Sequence, residues 1–168
     1  MSRVTLVLGG ARSGKSRFAE TLARGFAGRK TYIATAEPFD DEMRQRIAKH
    51  RDDRAGDGWE TVEAPLDPGT AIRQAEGLVL MDCVTVWLGN LVHHERDLRA
   101  EVSGLSAALQ EAQARIILVS NEVGLSIVPE NAMARRFRDE QGFANQCLAE
   151  VADDVFFVAA GLPLKLKG

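Results

Sequence analysis

The strongest signal of the fold is the segment Gly9-Gly10-Ala11-Arg12-Ser13-Gly14-Lys15-Ser16. It matches the pattern G-x-x-x-x-G-K-[ST], in which glycines let the backbone curl so that successive N–H groups surround phosphate oxygens. It lies between an apolar run, Val4–Leu8, and a stretch of helical period that begins at Arg17. A strand before the loop and a helix after it are the setting in which this pattern binds a nucleoside triphosphate. We therefore expect nucleotide phosphates at residues 9–16.

Two side chains of this loop and one acid outside it are expected to handle the triphosphate and its Mg²⁺. Lys15 should reach the β- and γ-phosphate oxygens, and the Ser16 hydroxyl should bind Mg²⁺. The second Mg²⁺ ligand is expected to be Asp82, because it follows the apolar run Leu78–Met81 at the end of a strand. Asp82 could also cap the helix predicted at Val84–Val92, a role compatible with metal binding. Weaker alternatives are the acids that follow other strand-like runs, Glu37 and Glu122.

Short apolar runs alternate with stretches of helical period along the whole chain. The apolar runs are Val4–Leu8, Tyr32–Ala34, Leu78–Met81, Ile116–Val119 and Val155–Ala159. The helical stretches are Arg17–Phe26, Glu42–Arg54, Val84–Val92, Leu98–Ala114 and Ala132–Ala152. This alternation is typical of parallel βαβ units covered by helices on both faces, with ligands at the carboxyl ends of the strands. The sequence therefore predicts an α/β fold.

Length and composition favour one ordinary globular domain over residues 1–168. The formal net charge of the 168 residues is −3, which argues against a nucleic-acid-binding surface, since such a surface is basic. No apolar run reaches the ~18 residues of a membrane span, and the first residues are too short for a signal peptide. Two cysteines, Cys83 and Cys147, suit a reducing compartment better than a disulfide scaffold. A cytoplasmic protein without a membrane span is expected.

The region from Glu37 to Pro68 departs from the alternation, because charged and turn residues crowd it. It is interpreted either as a solvated helix with a surface loop or as a functional insertion over the strand ends. Within it, His50 could act as a neutral imidazole that attacks phosphorus. His50 could equally extend a helical stripe that contains Met43 and Ile47, and spacing alone favours this structural role.

Several motifs outside the phosphate loop resemble those of one enzyme family. They are Tyr32-Ile33-Ala34-Thr35-Ala36, Asp40-Asp41-Glu42-Met43, His50-Arg51, Trp59–Glu63, Asn121–Gly124, Ile127–Asn131 and Asn145-Gln146. Together with the loop, this series resembles the bifunctional adenosylcobinamide kinase/adenosylcobinamide-phosphate guanylyltransferase of cobalamin biosynthesis, from about residue 4 to residue 167. The phosphate loop is widespread, whereas the His50 segment and the later Asn-Glu-Val-Gly to Asn-Gln block are specific to this family.

The resemblance implies a P-loop NTPase fold related to the RecA type, a homotrimer and two reactions. The family first phosphorylates the aminopropanol hydroxyl of adenosylcobinamide with ATP or GTP. It then transfers GMP from GTP to the new phosphate through a GMP–histidine intermediate and releases pyrophosphate. The implied partner is thus a corrinoid, and the implied cofactors are GTP, ATP and Mg²⁺.

By position, the resemblance makes His50 the histidine that carries GMP, with Lys15 as the other catalytic residue. It places phosphates at Gly9–Ser16 and implies further nucleotide contacts from Ala34, Thr35, Ala36, Arg51, Asp52, Asp53, Arg54, Glu63 and Asp82. Some relatives carry paired histidines where this chain has Lys49-His50, so that only His50 can serve here.

Other assignments stay open on sequence grounds. Glu122 suits a second acid, a substrate contact or a loop hydrogen bond. The cluster Arg135, Arg136 and Arg138 suits a solvated helix face, a subunit contact or recognition of the corrinoid phosphate. The main alternative function is a single-activity P-loop small-molecule kinase in which His50 is structural. A non-catalytic nucleotide-binding protein is disfavoured, because Lys15, Ser16 and Asp82 form a complete metal-dependent set.

Overall fold

The computed structural model describes residues 3–168, apart from the side chains of Arg46, His50 and Asp53. Strands and helices alternate in the order β1 (Val4–Gly9), α1 (Lys15–Ala23), β2 (Lys30–Ala34), α2 (Asp41–Gly56), β3 (Trp59–Glu63), α3 (Pro68–Gln74), β4 (Leu78–Asp82), α4 (Val84–His93), α5 (Leu98–Glu111), β5 (Arg115–Asn121), α6 (Ala132–Val151), β6 (Asp154–Ala159) and β7 (Leu162–Lys167). The predicted α/β class is confirmed. In residues 3–168, no helix combines the length and apolar character that crossing a membrane requires.

The strands form one seven-stranded sheet in the order β3-β2-β4-β5-β1-β6-β7. Neighbouring strands run parallel, except that β6 and β7 form an antiparallel hairpin. In this register Gly9 lies opposite Asn121, and Ala34 lies opposite Asp82. The carboxyl ends of β1, β2, β4 and β5 therefore meet along one edge of the sheet, which is where a parallel sheet binds its ligands.

Helices bury both faces of the sheet, which explains why its central strands are continuous apolar runs. One face packs against α3 to α6 in a cluster that includes Trp87, Ile116 and Leu148. The other face packs against α1, where Ala19 contacts a cluster that includes Val119. We call this second side the α1 face. Because side chains alternate along a strand, successive residues of β1 and β5 face opposite sides.

The charged region from Glu37 to Pro68 continues the alternation, contrary to the interpretation that it breaks the pattern. It contains α2 and the edge strand β3, and β3 pairs in parallel with β2. No apolar run marks β3 in the sequence Trp59–Glu63, because its side chains are exposed or half-buried at the sheet edge. The charged insertion is thus a helix followed by a strand of the main sheet.

Two further elements, a helix and a strand, carry no apolar run, and the sequence pattern therefore does not predict them. The short helix α3 begins after Asp67, whose carboxylate accepts the Thr70 N–H at 3.0 Å, and it has Pro68 in its first turn. Strand β7 alternates leucine with proline and lysine, and all of its residues are exposed. Both elements lie at the periphery, where local capping and hairpin pairing decide the structure.

Helix α2 is attached to the rest of the molecule less firmly than the other long helices. Its N-terminus is well formed, since the Asp40 carboxylate accepts the Met43 N–H at 2.7 Å. Every described side chain of α2 is nevertheless exposed or half-buried, whereas α5 and α6 each bury several residues. The helix that carries His50 therefore lacks a buried apolar anchor among the side chains that the structure describes.

Candidate functional site

The phosphate loop turns from β1 into α1 at the carboxyl edge of the sheet. Arg12 and Gly14 have φ angles of 54° and 92°, the left-handed values that a tight curl requires. The Phe18 N–H donates to the Gly14 carbonyl at 2.9 Å as α1 begins. The Lys15 ammonium donates to the Gly10 carbonyl at 3.1 Å, so that it lies against the loop.

The β6–β7 turn supports the loop from the side, a contact that no local sequence pattern indicates. The Gly161 N–H donates to the Ser13 carbonyl at 2.7 Å. A Cβ on Gly14 would lie 3.0 Å from the Gly161 Cα, and a Cβ on Gly9 would lie 2.7 Å from the Val158 carbonyl oxygen. The glycines of the motif are therefore needed for close backbone packing as well as for their φ angles.

Asp82 lies at the end of β4, beside two residues of the loop. Burial raises the pKa of the Asp82 carboxyl, and the Ser16 hydroxyl and the Lys15 charge oppose this rise. The structure thus brings together the side chains that the sequence assigned to the triphosphate and its metal. A carboxylate and a hydroxyl are oxygen ligands of the kind that Mg²⁺ prefers, and a cation would favour the charged form of this buried acid. The chemistry of these residues therefore fits Mg²⁺.

The candidate acids have different partners in the structure. Asp82 does not cap α4, because the cap is Cys83, whose Sγ accepts the Val86 N–H at 3.4 Å. Glu37 is hydrogen-bonded to His94 at 2.9 Å. Glu122 accepts the N–H of Gly124, two residues along its own loop, at 2.6 Å. Asp82 is therefore the acid that the geometry places with the phosphate loop.

Tyr32, the chain's single tyrosine, connects Asp82 with α2. Burial and the nearby Asp82 carboxylate both raise the pKa of the Tyr32 hydroxyl. The Arg54 guanidinium of α2 lies over the Tyr32 ring, 3.8 Å from the ring centre. The Arg54 Nε is buried without a hydrogen-bond partner among the described residues. In the sequence, Tyr32 stands out only as part of a motif, although alternation on β2 places residues 32 and 34 on the same face.

The predicted nucleotide contacts at Ala34, Thr35 and Ala36 lie at the end of β2. Thr35 is fully buried, and its hydroxyl donates to the Cys83 carbonyl at 2.9 Å and accepts the Cys83 N–H at 3.0 Å. The Asn90 amide donates to the Thr35 carbonyl at 2.6 Å. Thr35 thus joins the ends of β2 and β4, and nucleotide binding by this segment stays a prediction.

The remaining predicted nucleotide contacts are on or beside α2. The backbone of His50 lies within this helix, whereas its side chain and that of Asp53 lie outside the described part of the structure. Asp52 is exposed. Arg51 and Glu63 face each other across α2 and β3, with 3.8 Å between guanidinium and carboxylate. The roles of these residues stay predictions.

Arg135 and Arg138 make different contacts, and the two tryptophans of the chain, Trp59 and Trp87, have different surroundings. Arg135 donates to the Pro129 carbonyl at 2.9 Å and so supports the loop before α6, whereas Arg138 pairs with Asp139 at 3.0 Å. Trp87 is a buried core residue whose Nε1 donates to the Leu66 carbonyl at 3.1 Å. Trp59 is half-buried and packs edge-on against Tyr32 with 6.1 Å between ring centres.

Comparisons with solved structures identify the fold. The chain superposes on a RadB recombinase with a TM-score of 0.55 and 18% identity, over 92% of this chain and 73% of that one. It superposes on an ATPase of a type III secretion system with a TM-score of 0.53 and 12% identity, over 97% of this chain and 56% of that one. These likenesses confirm the expected P-loop NTPase fold with a mostly parallel sheet and flanking helices.

Comparisons of sequence identify the family. A sequence model described as cobinamide kinase / cobinamide phosphate guanyltransferase, CobU, matches residues 5–166. The bifunctional adenosylcobalamin biosynthesis protein CobP of Pseudomonas aeruginosa is 46% identical, over 97% of this chain and 96% of that protein. The protein CobU of the same description from Salmonella typhimurium is 42% identical, over 96% of this chain and 98% of that protein. The chain therefore belongs to the cobinamide kinase/cobinamide phosphate guanyltransferase family of enzymes.

Proposed function

We propose that the protein catalyses two successive transfers to a corrinoid. It phosphorylates adenosylcobinamide with ATP or GTP, and it then transfers GMP from GTP to adenosylcobinamide phosphate, giving adenosylcobinamide-GDP and pyrophosphate. The observation that carries this proposal is the juxtaposition of Lys15, Ser16 and Asp82 at the carboxyl edge of the sheet. Family membership over nearly the whole chain supplies the substrate class.

The first transfer is an attack on the γ-phosphorus. The oxygen of the corrinoid's aminopropanol hydroxyl forms a bond to this phosphorus, the bond to the β-phosphate oxygen breaks, and the nucleoside diphosphate leaves with the electron pair. The hydroxyl proton passes to water. Lys15 would stabilise the charge that develops on the phosphate oxygens. Ser16 and Asp82 would hold Mg²⁺, which when bound neutralises triphosphate charge.

The second transfer uses His50 as the nucleophile. A neutral imidazole nitrogen forms a bond to the α-phosphorus of GTP, and the bond to the β-phosphate oxygen breaks as pyrophosphate leaves. A phosphate oxygen of adenosylcobinamide phosphate then attacks the same phosphorus, and the nitrogen–phosphorus bond breaks. The imidazole is regenerated, so one difficult displacement becomes two easier ones.

We further propose that α2 moves between the two reactions, because they require attack at different phosphorus atoms of a triphosphate held by one loop. Its weak attachment supports this idea. The Arg51–Glu63 pair is exposed and long, and such pairs contribute little to stability. The contact between Arg54 and Tyr32 is the closer link.

A trimer in the cytoplasm is the proposed working state. A corrinoid is bulky beside a chain of 168 residues, so a second subunit would supply additional binding surface. Exposed apolar side chains on the loop after β5 and at the start of α6 would suit such a contact, namely Leu125, Ile127, Val128 and Met133. Cys83 and Cys147 are free thiols, as a reducing compartment favours. Sedimentation equilibrium measures the mass of the particle in solution. Three times the mass of one chain would agree with the trimer, and the mass of a single chain would contradict it.

Both reactions can be followed in one experiment. The protein is incubated with adenosylcobinamide, Mg²⁺ and ATP labelled at the γ-phosphorus, and GTP is then added while pyrophosphate is measured. Label should enter the corrinoid first, and pyrophosphate should follow. Lys15→Ala should impair both steps, because Lys15 contacts the phosphates in each. Phosphorylation with no pyrophosphate release would instead identify a single-activity kinase, and no transfer of label would contradict the proposal.

A further inference from the structure

Asn121 occupies the position between the phosphate loop and Asp82. It is the last residue of β5, and β5 lies between β1 and β4 in the sheet. Asn121 is opposite Gly9 in the register of β1 and β5, and the next residue, Glu122, donates its N–H to the Gly9 carbonyl at 3.0 Å. The backbone of Asn121 is therefore beside the first residue of the loop.

Alternation along β5 places the Asn121 side chain on the α1 face. Val119 packs in the cluster against α1. The Ser120 hydroxyl points the other way and donates to Oδ1 of the Asn145 side chain on α6 at 2.7 Å. Asn121 therefore shares the side of Val119. The phosphate loop crosses this same side, since a Cβ on Gly9 would lie 3.2 Å from the Cβ of Ser13.

Two helices hold the backbone of Asn121 in place. Its N–H donates to the Thr85 hydroxyl of α4 at 2.8 Å, and its carbonyl accepts from the Asn145 amide of α6 at 3.1 Å. Asn145 belongs to a buried network in which the Gln141 amide donates to Ser120 at 3.0 Å. A rigid support of this kind is what a residue that orients a reacting group requires.

A contribution to stability does not explain why position 121 holds an asparagine. Its Oδ1 is buried without a hydrogen-bond partner among the residues that the structure describes, and turning the amide over would bury the NH₂ group in the same position. An unpaired buried polar group costs stability, whereas an apolar side chain at the same position would not. The residue as a whole is half-buried, so the other end of the amide remains available to a ligand.

We propose that the Asn121 amide donates a hydrogen bond to the terminal phosphoryl group of the bound triphosphate and orients it for transfer. The inference rests on the proposed function. The γ-phosphorus is the atom attacked in the first reaction, whereas in the second the γ-phosphate leaves unchanged within pyrophosphate. Loss of the Asn121 amide should therefore slow phosphorylation and should change the rate of GMP transfer to the protein little.

The test compares Asn121→Ala and the isosteric Asn121→Asp with wild-type protein. Loss of a preorganised donor should lower kcat for phosphorylation by about 100-fold, while nucleotide Kd changes by less than about 3-fold. The kcat for phosphorylation should fall further in Asn121→Asp, because a carboxylate repels the phosphoryl group. Labelling of the protein by GTP that carries label at the α-phosphorus should persist in both variants. The Tm of Asn121→Ala should be no lower than that of wild type.

Asn131→Ala is the matched control. Its side chain caps α6 by accepting the Met133 N–H at 2.8 Å, so this variant should lose Tm and keep both activities. Full phosphorylation by Asn121→Ala would overturn this inference and leave the proposed function standing. Equal loss of both reactions, or a lower Tm, would indicate a structural role for Asn121 and would overturn the inference in the same way. A wild-type protein that does not phosphorylate adenosylcobinamide would overturn the proposed function and this inference with it.

Discussion

The Asp82 carboxylate is held in a buried position beside Ser16, Lys15 and Tyr32, and burial raises its pKa. The folded protein therefore binds a proton here more readily than the unfolded chain does. The contribution of Asp82 to folding becomes unfavourable as the pH rises through the raised pKa, and it is relieved when the carboxyl is protonated. A bound cation would relieve the same cost at neutral pH, as the proposed role of Asp82 in holding Mg²⁺ requires.

This electrostatic cost predicts the effect of Asp82→Asn. Without nucleotide or Mg²⁺ at pH 7, the variant should be more stable than wild type by about 1–2 kcal/mol, because it removes a buried charge and keeps the shape. The gain should shrink as the pH falls, because the wild-type carboxyl then takes up a proton. Urea denaturation over a series of pH values from 7 downward measures both effects.

Glu76→Gln is the control for that measurement, since Glu76 is exposed beyond the end of α3 and should change stability little. Both transfers should be lost in Asp82→Asn and kept in Glu76→Gln. A destabilised Asp82→Asn at pH 7 would show that the carboxylate has a structural partner instead.

The glycines of the loop differ in the space they leave for a side chain. This difference predicts that two alanine variants differ in stability. A Cβ at Gly14 meets the Gly161 Cα at 3.0 Å and requires a left-handed φ of 92°, whereas a Cβ at Gly10 meets nothing within 4 Å. Gly14→Ala should therefore lower the free energy of unfolding by about 1–3 kcal/mol, and Gly10→Ala should change it by much less. Chemical denaturation of both variants provides the measurement. Equal stability of the two would argue against the tight contact with the β6–β7 turn.

At the scale of elements, buried strands were predictable and peripheral ones were not. The strands β1, β4 and β5 are covered on both faces, so each is a continuous apolar run that the sequence displays. The edge strands β3 and β7 keep exposed charged side chains, and pairing with a neighbour rather than composition makes them strands. Their recognition requires knowledge of which strand lies beside them.

Local sequence signals mark some residues of the candidate site and not others. The loop and Asp82 carry such signals, namely a glycine pattern and an acid after an apolar run. Tyr32 comes beside Asp82, and Gly161 and Asn121 come beside the loop, only through the strand order of the sheet, which no local pattern encodes.

Helix α2 is predicted to respond to nucleotide. Its described side chains are all exposed or half-buried, and elements with few buried contacts open at low cost. Hydrogen exchange of α2 amides should therefore be faster than that of α6 and should change when GTP is added. Helix α6, which buries Ala144 and Leu148, is the internal reference. Equal protection of α2 with and without GTP would contradict the proposed movement.

At the scale of the whole molecule, two reactions are assigned to one sheet edge. The loop and Asp82 are built into the rigid centre of the sheet, whereas His50 is carried by a helix without a buried apolar anchor among its described side chains. This division suits a fixed triphosphate that is attacked at two different phosphorus atoms. The net charge of −3 does not oppose the proposed phosphate binding, because backbone N–H groups and local cations, rather than the net charge, attract phosphate oxygens.

Labelling with GTP measures directly whether His50 carries GMP. Wild-type protein, Lys49→Ala and His50→Ala are incubated with Mg²⁺ and GTP labelled at the α-phosphorus, denatured, and assayed for label that is acid-labile and base-stable. Wild type and Lys49→Ala, which changes the exposed neighbouring residue, should retain the label. His50→Ala should lose it and still phosphorylate adenosylcobinamide. No label on wild type, or undiminished label on His50→Ala, would contradict the account.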